Sequence, residues 1–271
     1  MPSVTTPGTS GRVFKLSVCA DTAFLDKPFL ERASRIAAAG FLVEFWRWPE
    51  HEADLGALSN NPDITISAFT GYLGGCIVDP QGADEFIEGC KQSLPIAQRL
   101  GCETLFASSG ELDANGQVIH PIARHPGRRW ITAYNTMCRA AELGEKAGVT
   151  YVLEHLNTKV DHPGFPFTHV EDVAEIVSAV GSSRLRVLLD VYHVQVEEGS
   201  VTQAIRDYGQ LLGYVHVADV PGRHEPGTGE INYPYVVSVL REAGYEGVVG
   251  LEAYPAESDE HALDQFRRLF G

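Results

Sequence analysis

The sequence predicts a single-domain α/β fold, a closed (β/α)8 or TIM barrel, on three observations. Short runs rich in β-branched and aromatic residues alternate with longer runs of helical period, eight times over roughly 260 residues. The strand-like runs are apolar on both faces, as in a parallel sheet covered by helices. No Gly-x-Gly-x-x-Gly stands between the first strand and the first helix, which disfavours an open, dinucleotide-binding sheet.

The elements follow in order. Residues 1–12, MPSVTTPGTSGR, are small and polar and are expected to form a flexible arm, leaving 13–271 for the catalytic barrel. Phe14–Cys19 is the first strand, and Pro28–Ala39 a helix begun by proline and stopped by Gly40. Phe41–Trp46 is the second strand, with a helix near Glu50–Ser59. Ile64–Phe69 is the third, followed by the loop GYLGGCIVDP and a long helix, Gly82–Leu100. Glu103–Ala107 is the fourth. The stretch Ser108 to Gly127 is long for a loop, a length usually tied to function. Arg128–Ala147 is a helix closed by Gly148. Three further pairs are strand Val149–Glu154 with helix Val170–Val180, strand Leu185–Asp190 with helix Val201–Tyr208, and strand Gly213–Ala218 with helix Pro234–Ala243. Strand Gly247–Leu251 and helix Glu260–Phe270 finish the chain.

Composition narrows the partners. The formal net charge of −15 repels phosphate backbones and anionic membranes, so neither nucleic acid nor a membrane is expected to bind. No apolar run has transmembrane length, and the N-terminal residues do not resemble a signal peptide. Five scattered cysteines without a Cys-x-x-Cys pair point to core thiols in a reducing, cytoplasmic compartment.

In a barrel of this class the active site lies at the C-terminal ends of the strands. Those ends hold Glu154 (YVLEH), Asp190 (VLLDVYH), His216 (YVHVAD) and Glu252 (GLEAYP), from strands five to eight, which are adjacent in the wall. Any one of them could equally be a helix cap or half of an ion pair. Four together are harder to explain so. Three carboxylates buried side by side cost several kcal/mol each unless a cation compensates. A single divalent ion, Mn2+, Mg2+ or Co2+, suits three carboxylates and one imidazole better than a thiolate-rich zinc site does. Such an ion can hold two neighbouring oxygens of a sugar or hydroxy-ketone and polarise its carbonyl for proton removal from the adjacent carbon. Glu154 and Glu252 are the outermost of the four and can flank the substrate as a proton-transfer pair. His193 and Arg223 lie close by in sequence, and Arg223 could instead form a loop ion pair with Glu225 or Glu230. Glu44, ending strand two, and the aromatics Phe45, Trp46 and Trp48 could line the pocket or pack under helices.

These residues carry a resemblance. The order Glu154, Asp190, His216, Glu252, spaced 36, 26 and 36 residues apart, is similar to the single-metal site of the xylose isomerase-like TIM barrel superfamily. That group spans hydroxypyruvate isomerases, ketose 3-epimerases, inosose-processing enzymes and endonuclease-IV-type nucleases. LEHLNTKVDHPGF, LLDVYHVQ and above all HVADVPGRHEPGTGEINY resemble the hydroxypyruvate isomerase branch. The resemblance implies that Glu154 and Glu252 are both acid/base groups and metal ligands, with Asp190 and His216 completing the site. It implies substrate contacts for His193 and Arg223, the latter as a bidentate partner of a carboxylate, with Glu44 and Trp46 at the pocket wall. It also implies a homo-oligomer, a dimer or tetramer. His155 departs from the branch, where proline is expected, and this bears on the substrate. The expected function is therefore isomerisation of hydroxypyruvate or a similar short keto acid or ketose. A ketose 3-epimerase is the alternative. An abasic-site nuclease fits poorly, because strands three and four end in ISAFT and FASSG without histidine. A non-catalytic barrel is disfavoured by the complete ligand set. His224 is a weaker candidate for substrate contact than Arg223, and no role is assigned to His120, Arg124 or His125.

Overall fold

The structure is a computed structural model, and it describes residues 14–113, 115–119 and 125–271. The expected arm over residues 1–12 lies outside that range, as do His120 and Arg124. Eight parallel strands close into a barrel in sequence order: β1 (Lys15–Cys19), β2 (Leu42–Phe45), β3 (Ile66–Thr70), β4 (Thr104–Ser108), β5 (Thr150–Glu154), β6 (Leu185–Asp190), β7 (Leu212–Val217) and β8 (Val248–Leu251). The ring is completed by β8 pairing with β1, Ser17 opposite Gly250. The fold is the predicted (β/α)8 barrel, with every expected strand present.

The helices are α1 (Phe29–Ala38), α2 (Leu55–Asn60), α3 (Pro80–Leu100), α4 (Pro126–Ala147), α5 (Val170–Val180), α6 (Val191–Glu197), α7 (Val201–Tyr208), α8 (Tyr233–Glu242) and α9 (Asp259–Phe270). Their ends follow the sequence chemistry. The Asp79 carboxylate accepts from Gln81 N ahead of Pro80, and Gly101 closes the same helix at φ 63°, a conformation open to glycine without steric cost.

Two helical segments differ from expectation. The segment predicted near Glu50–Ser59 is split into a 3-10 turn, Trp48–His51, and the short α2. His51 stacks on Phe29 with ring centroids 3.5 Å apart and lies 3.1 Å from Asp21, which ties the turn to β1 and breaks the helical line. Helix α6 is not legible in the sequence. Its first six residues include three valines, which are poor helix formers. It forms because the Asp190 carboxylate accepts from Tyr192 N (2.7 Å) and His193 N (3.2 Å) and caps it.

Packing has two layers. Outward-facing strand residues such as Val187, Leu189, Val215 and Leu251 join the helices in one large core. Inward-facing Ala68, Phe106, Val152, Leu188 and Tyr214 fill the barrel in a second cluster. Strand alternation then positions the site. Two residues beyond Val152 comes Glu154, beyond Leu188 comes Asp190, beyond Tyr214 comes His216, and beyond Gly250 comes Glu252. The apolar plug beneath them forces each polar side chain to the open end of the barrel.

Candidate active site

Strand register brings the four side chains together. Asp190 pairs with His216, and His216 with Gly250. One possible ligand atom from each of Glu154, Asp190, His216 and Glu252 lies within 4.8 Å of all the others, the one such group of three or more among the described residues. His216 Nδ1 is 3.7 Å from Glu154 Oε1 and 3.5 Å from Glu252 Oε2. Glu154 Oε1 and His216 Nδ1 are buried without a hydrogen-bond partner among the described residues. One unpartnered oxygen and one unpartnered nitrogen, with two further carboxylates at this spacing, fit a divalent cation, so the cluster can hold a metal ion.

The electrostatics separate the two glutamates. Burial pushes Glu154 up to about 7, with the Glu252 charge adding to it and His216 opposing. Burial would raise Glu252 too, but His216, Arg223 and the Trp46 indole outweigh it and hold that carboxyl below its usual range. Trp46 Nε1 donates to Glu252 Oε1 at 2.6 Å, and Arg223 Nη2 donates to Glu252 Oε2. Asp190 is raised by burial, with Arg223 pulling the other way. Burial would lower His216, yet Glu252, Glu44 and Glu154 carry it well above the ordinary imidazole value.

Asp190 combines both expectations formed from the sequence. One oxygen caps α6, while the other accepts from Arg223 Nη2 at 3.1 Å and faces the cluster. Arg223 therefore pairs with Asp190 and Glu252, not with Glu225 or Glu230. Its guanidinium lies 5.0 Å over the Tyr192 ring. The loop that carries it is built by Asp219, whose carboxylate accepts from Val220 N, Gly227 N and Ile231 N. Buried Glu225 accepts from Ala256 N and ties the loop to the one after β8.

His193 lines the cavity and is buried. Burial holds its imidazole well below the ordinary value, with the Arg223 charge acting the same way. Asn157 N donates to Nδ1 at 3.2 Å, so the proton of the neutral ring sits on Nε2, 3.6 Å from Asp190 Oδ2.

The cavity above the cluster measures about 850 Å3, and Trp46, Tyr72, Ser108, Glu111, His162 and Tyr254 are among its walls. Glu44 is not. It is fully buried below the pocket, with Oε1 3.1 Å from His216 Nε2, so the expected pocket-wall role is corrected. The physical reason is alternation: Glu44 sits one inward step below Trp46. Phe45 stacks on Phe69, and Trp48 donates to Ser93 Oγ, so both pack under helices. His125 caps α4 by accepting from Gly127 N, and His224 lies 2.7 Å from the Tyr254 carbonyl. His155 is fully buried with no partner at either ring nitrogen among the described residues. Burial pushes it down to about 3, so it is neutral. Sequence reasoning missed Tyr72, Glu111 and His162, which lie in loops after β3, β4 and β5 and are drawn in only by tertiary contacts. His162 Nδ1 donates to the Gly116 carbonyl, and Gln117 Nε2 donates to the Asp161 carbonyl, joining two of these loops.

The fold corresponds to a known group. Residues 30–269 match the family model described as xylose isomerase-like TIM barrel. The chain belongs to that family. Among curated relatives, the 2-oxo-tetronate isomerase of Cupriavidus necator is 30% identical over 252 residues, covering 90% of this chain and 94% of that protein. The hydroxypyruvate isomerase of Escherichia coli is 30% identical over 254 residues, covering 89% and 93%. Among solved structures, one described as an AP endonuclease, family 2, from Brucella melitensis superposes with a TM-score of 0.84 at 30% identity, covering 96% of this chain and all of that one. A D-psicose 3-epimerase from Clostridium cellulolyticum gives 0.78 at 18% identity, which speaks for the fold alone.

Proposed function

We propose that the chain is a divalent-metal-dependent isomerase of a short hydroxy-keto acid, of hydroxypyruvate isomerase type, acting by proton transfer through an enediolate. The observation that carries this is the placing of Glu154, Asp190, His216 and Glu252 within 4.8 Å of one another at the mouth of the barrel. Relatives named hydroxypyruvate isomerase or 2-oxo-tetronate isomerase support it. Mn2+, Mg2+ or Co2+ is the ion the donor set suits, held by those four residues. When bound, it supplies Lewis-acid polarisation of the substrate carbonyl and stabilisation of developing negative charge.

The chain's own residues do the rest. Glu154, whose Oε1 is buried without a hydrogen-bond partner among the described residues, is suited to take and return the proton between neighbouring carbons. Glu252, held by Trp46 and Arg223, stays ionised and fixes the opposite side. The neutral His193 offers Nε2–H to a substrate oxygen. Arg223 has guanidinium nitrogens beyond the Nη2 that pairs with Asp190 and Glu252, and these can meet a substrate carboxylate.

The test is proton NMR in D2O with Mg2+-loaded protein and hydroxypyruvate, 2-oxo-tetronate and a panel of ketoses. Conversion of hydroxypyruvate to tartronate semialdehyde, or of 2-oxo-tetronate to its 3-oxo isomer, with deuterium incorporation and lost in Glu154→Gln, is the expected result. Inversion at C3 of a ketose without keto-acid turnover would move the chain to the epimerase alternative. Turnover of none would overturn both. Nuclease action is disfavoured because β3 and β4 end at Thr70 and Ser108, without histidine. Five free thiols support a reducing, cytoplasmic setting, and no helix among the described residues is long and apolar enough to cross a membrane. A dimer or tetramer is expected from the resemblance, and light scattering would check it.

A further inference from the structure

Beneath the cluster, the barrel interior holds a carboxylate that the reaction does not use. Glu44 of β2 is fully buried and does not line the cavity. Burying a carboxylate away from Lys and Arg costs several kcal/mol unless nearby groups compensate, so its neighbours explain its presence. Tyr214 OH donates to Oε2. That hydroxyl is 3.0 Å from Ser67 Oγ, which is 2.7 Å from Ser17 Oγ, so a chain of hydroxyls crosses the barrel under the site. The other oxygen, Oε1, has no hydrogen-bond partner among the described residues and lies 3.1 Å from His216 Nε2. The approach is bent from ideal hydrogen-bond geometry and short enough for a direct charge contact.

Strand β8, separated from β2 by β1 alone, makes room for this carboxylate. A Cβ on Gly250 would meet the two Glu44 oxygens at 2.5 and 2.6 Å, so only glycine leaves the space. Phe106 and Tyr214 press edge-on against the His216 ring, with centroids 5.0 and 5.4 Å away, and restrict its rotation. The ring is thus gripped on its Nε2 side, while Nδ1 faces Glu154 and Glu252.

We infer that Glu44 is a positioning residue: it accepts Nε2–H of His216 and so presents Nδ1 as the ligand atom of the metal cluster. The inference rests on the metal-binding reading above. A histidine ligand is oriented, and its tautomer set, by what its other nitrogen touches, and losing such a partner typically costs 10–100-fold in metal affinity. Glu44 acts through His216 alone, because it has no face on the substrate.

The test combines two measurements. The Mg2+-loaded protein, labelled with 15N-histidine, should show a slowly exchanging Nε2–H signal assignable to His216, absent in Glu44→Leu. Mn2+ titration followed by electron paramagnetic resonance should show affinity lower by roughly 10–100-fold in Glu44→Leu. Glu44→Gln retains an acceptor oxygen and should recover most of both. An Nδ1–H signal from His216 in the loaded wild type would overturn the inference without any variant. So would a folded Glu44→Leu with unchanged Mn2+ affinity while the wild type binds. A wild type that binds no Mn2+ would instead remove the metal reading, and this inference with it.

Discussion

The two walls of the cavity are built differently. The wall from β5 to β8 ends every strand at, or within one residue of, an ionisable group, and these groups converge within 4.8 Å. The wall from β2 to β4 presents Trp46, one residue past β2, and Thr70 and Ser108 at the ends of β3 and β4, and its only strand-borne carboxylate, Glu44, sits a step lower under His216. The strand ends of one side thus carry charge and those of the other are neutral, the loops beyond β2 and β4 adding Arg47, Glu50, Glu111 and Asp113 to the cavity lining. At the level of the strand ends, a substrate meets a fixed electrostatic field from one direction and hydroxyl and aromatic surface from the other. Both walls obey the same inward alternation, so the difference comes from which residue stands at the last inward position of each strand.

The largest expected break of this division is Glu154→Gln or Asp190→Asn. Glu154→Gln should lower kcat by about 10²–10⁴-fold in steady-state assays, since a positioned acid/base group typically contributes that much, and Asp190→Asn should weaken Mn2+ binding in titration, since it removes a charged oxygen from the cluster. Next is Arg223→Lys, which keeps the charge and loses the planar fork. KM for a carboxylate-bearing substrate should rise by about tenfold with a smaller effect on kcat. Trp46→Phe removes the indole donor to Glu252 Oε1 and keeps most of the ring. A several-fold fall in kcat is expected, on the order of one charge-assisted hydrogen bond at most. Tyr72→Phe, on the neutral wall, deletes the hydroxyl that meets Ser108 Oγ and should change kcat/KM by less than about threefold. A loss there as large as for Glu154→Gln would show that the division of labour is wrong.

The smallest effect is on stability. Burial lowers the His162 imidazole from the ordinary 6.5, partly opposed by the Gly116 carbonyl that its Nδ1–H meets. The unfolded chain then binds more protons than the folded one below about pH 6.5, so stability is full above that value and falls as pH drops toward the folded-state value. Urea midpoints measured from pH 7 to 5 should decline less steeply in His162→Gln. An unchanged slope would show that this ring stays neutral in neither state's favour.

How much of this was legible in the sequence follows from the range of the interactions. The eight strands, most helices and the four clustered strand-end residues are local signals: apolar runs, proline starts, glycine stops, and one polar residue at the end of each of four adjacent runs. Helix α6 was not legible, because Asp190 serves as strand end, cap and cluster member at once, and a valine-rich segment hides the helix. Trp46 was placed in the pocket, but its bond to Glu252 spans 206 residues and no local pattern encodes it.

The sequence by itself therefore determined the barrel, the order of its strands and the identity of the four ligand-type residues, because alternation and burial act over a few residues. Only the tertiary structure decided which nitrogen of His216 faces the cluster, that Arg223 pairs with Asp190 and Glu252, and that Glu44 lies under the site and not in it. Those outcomes depend on register across the closed ring, where Gly250 beside His216 leaves space for a carboxylate from β2.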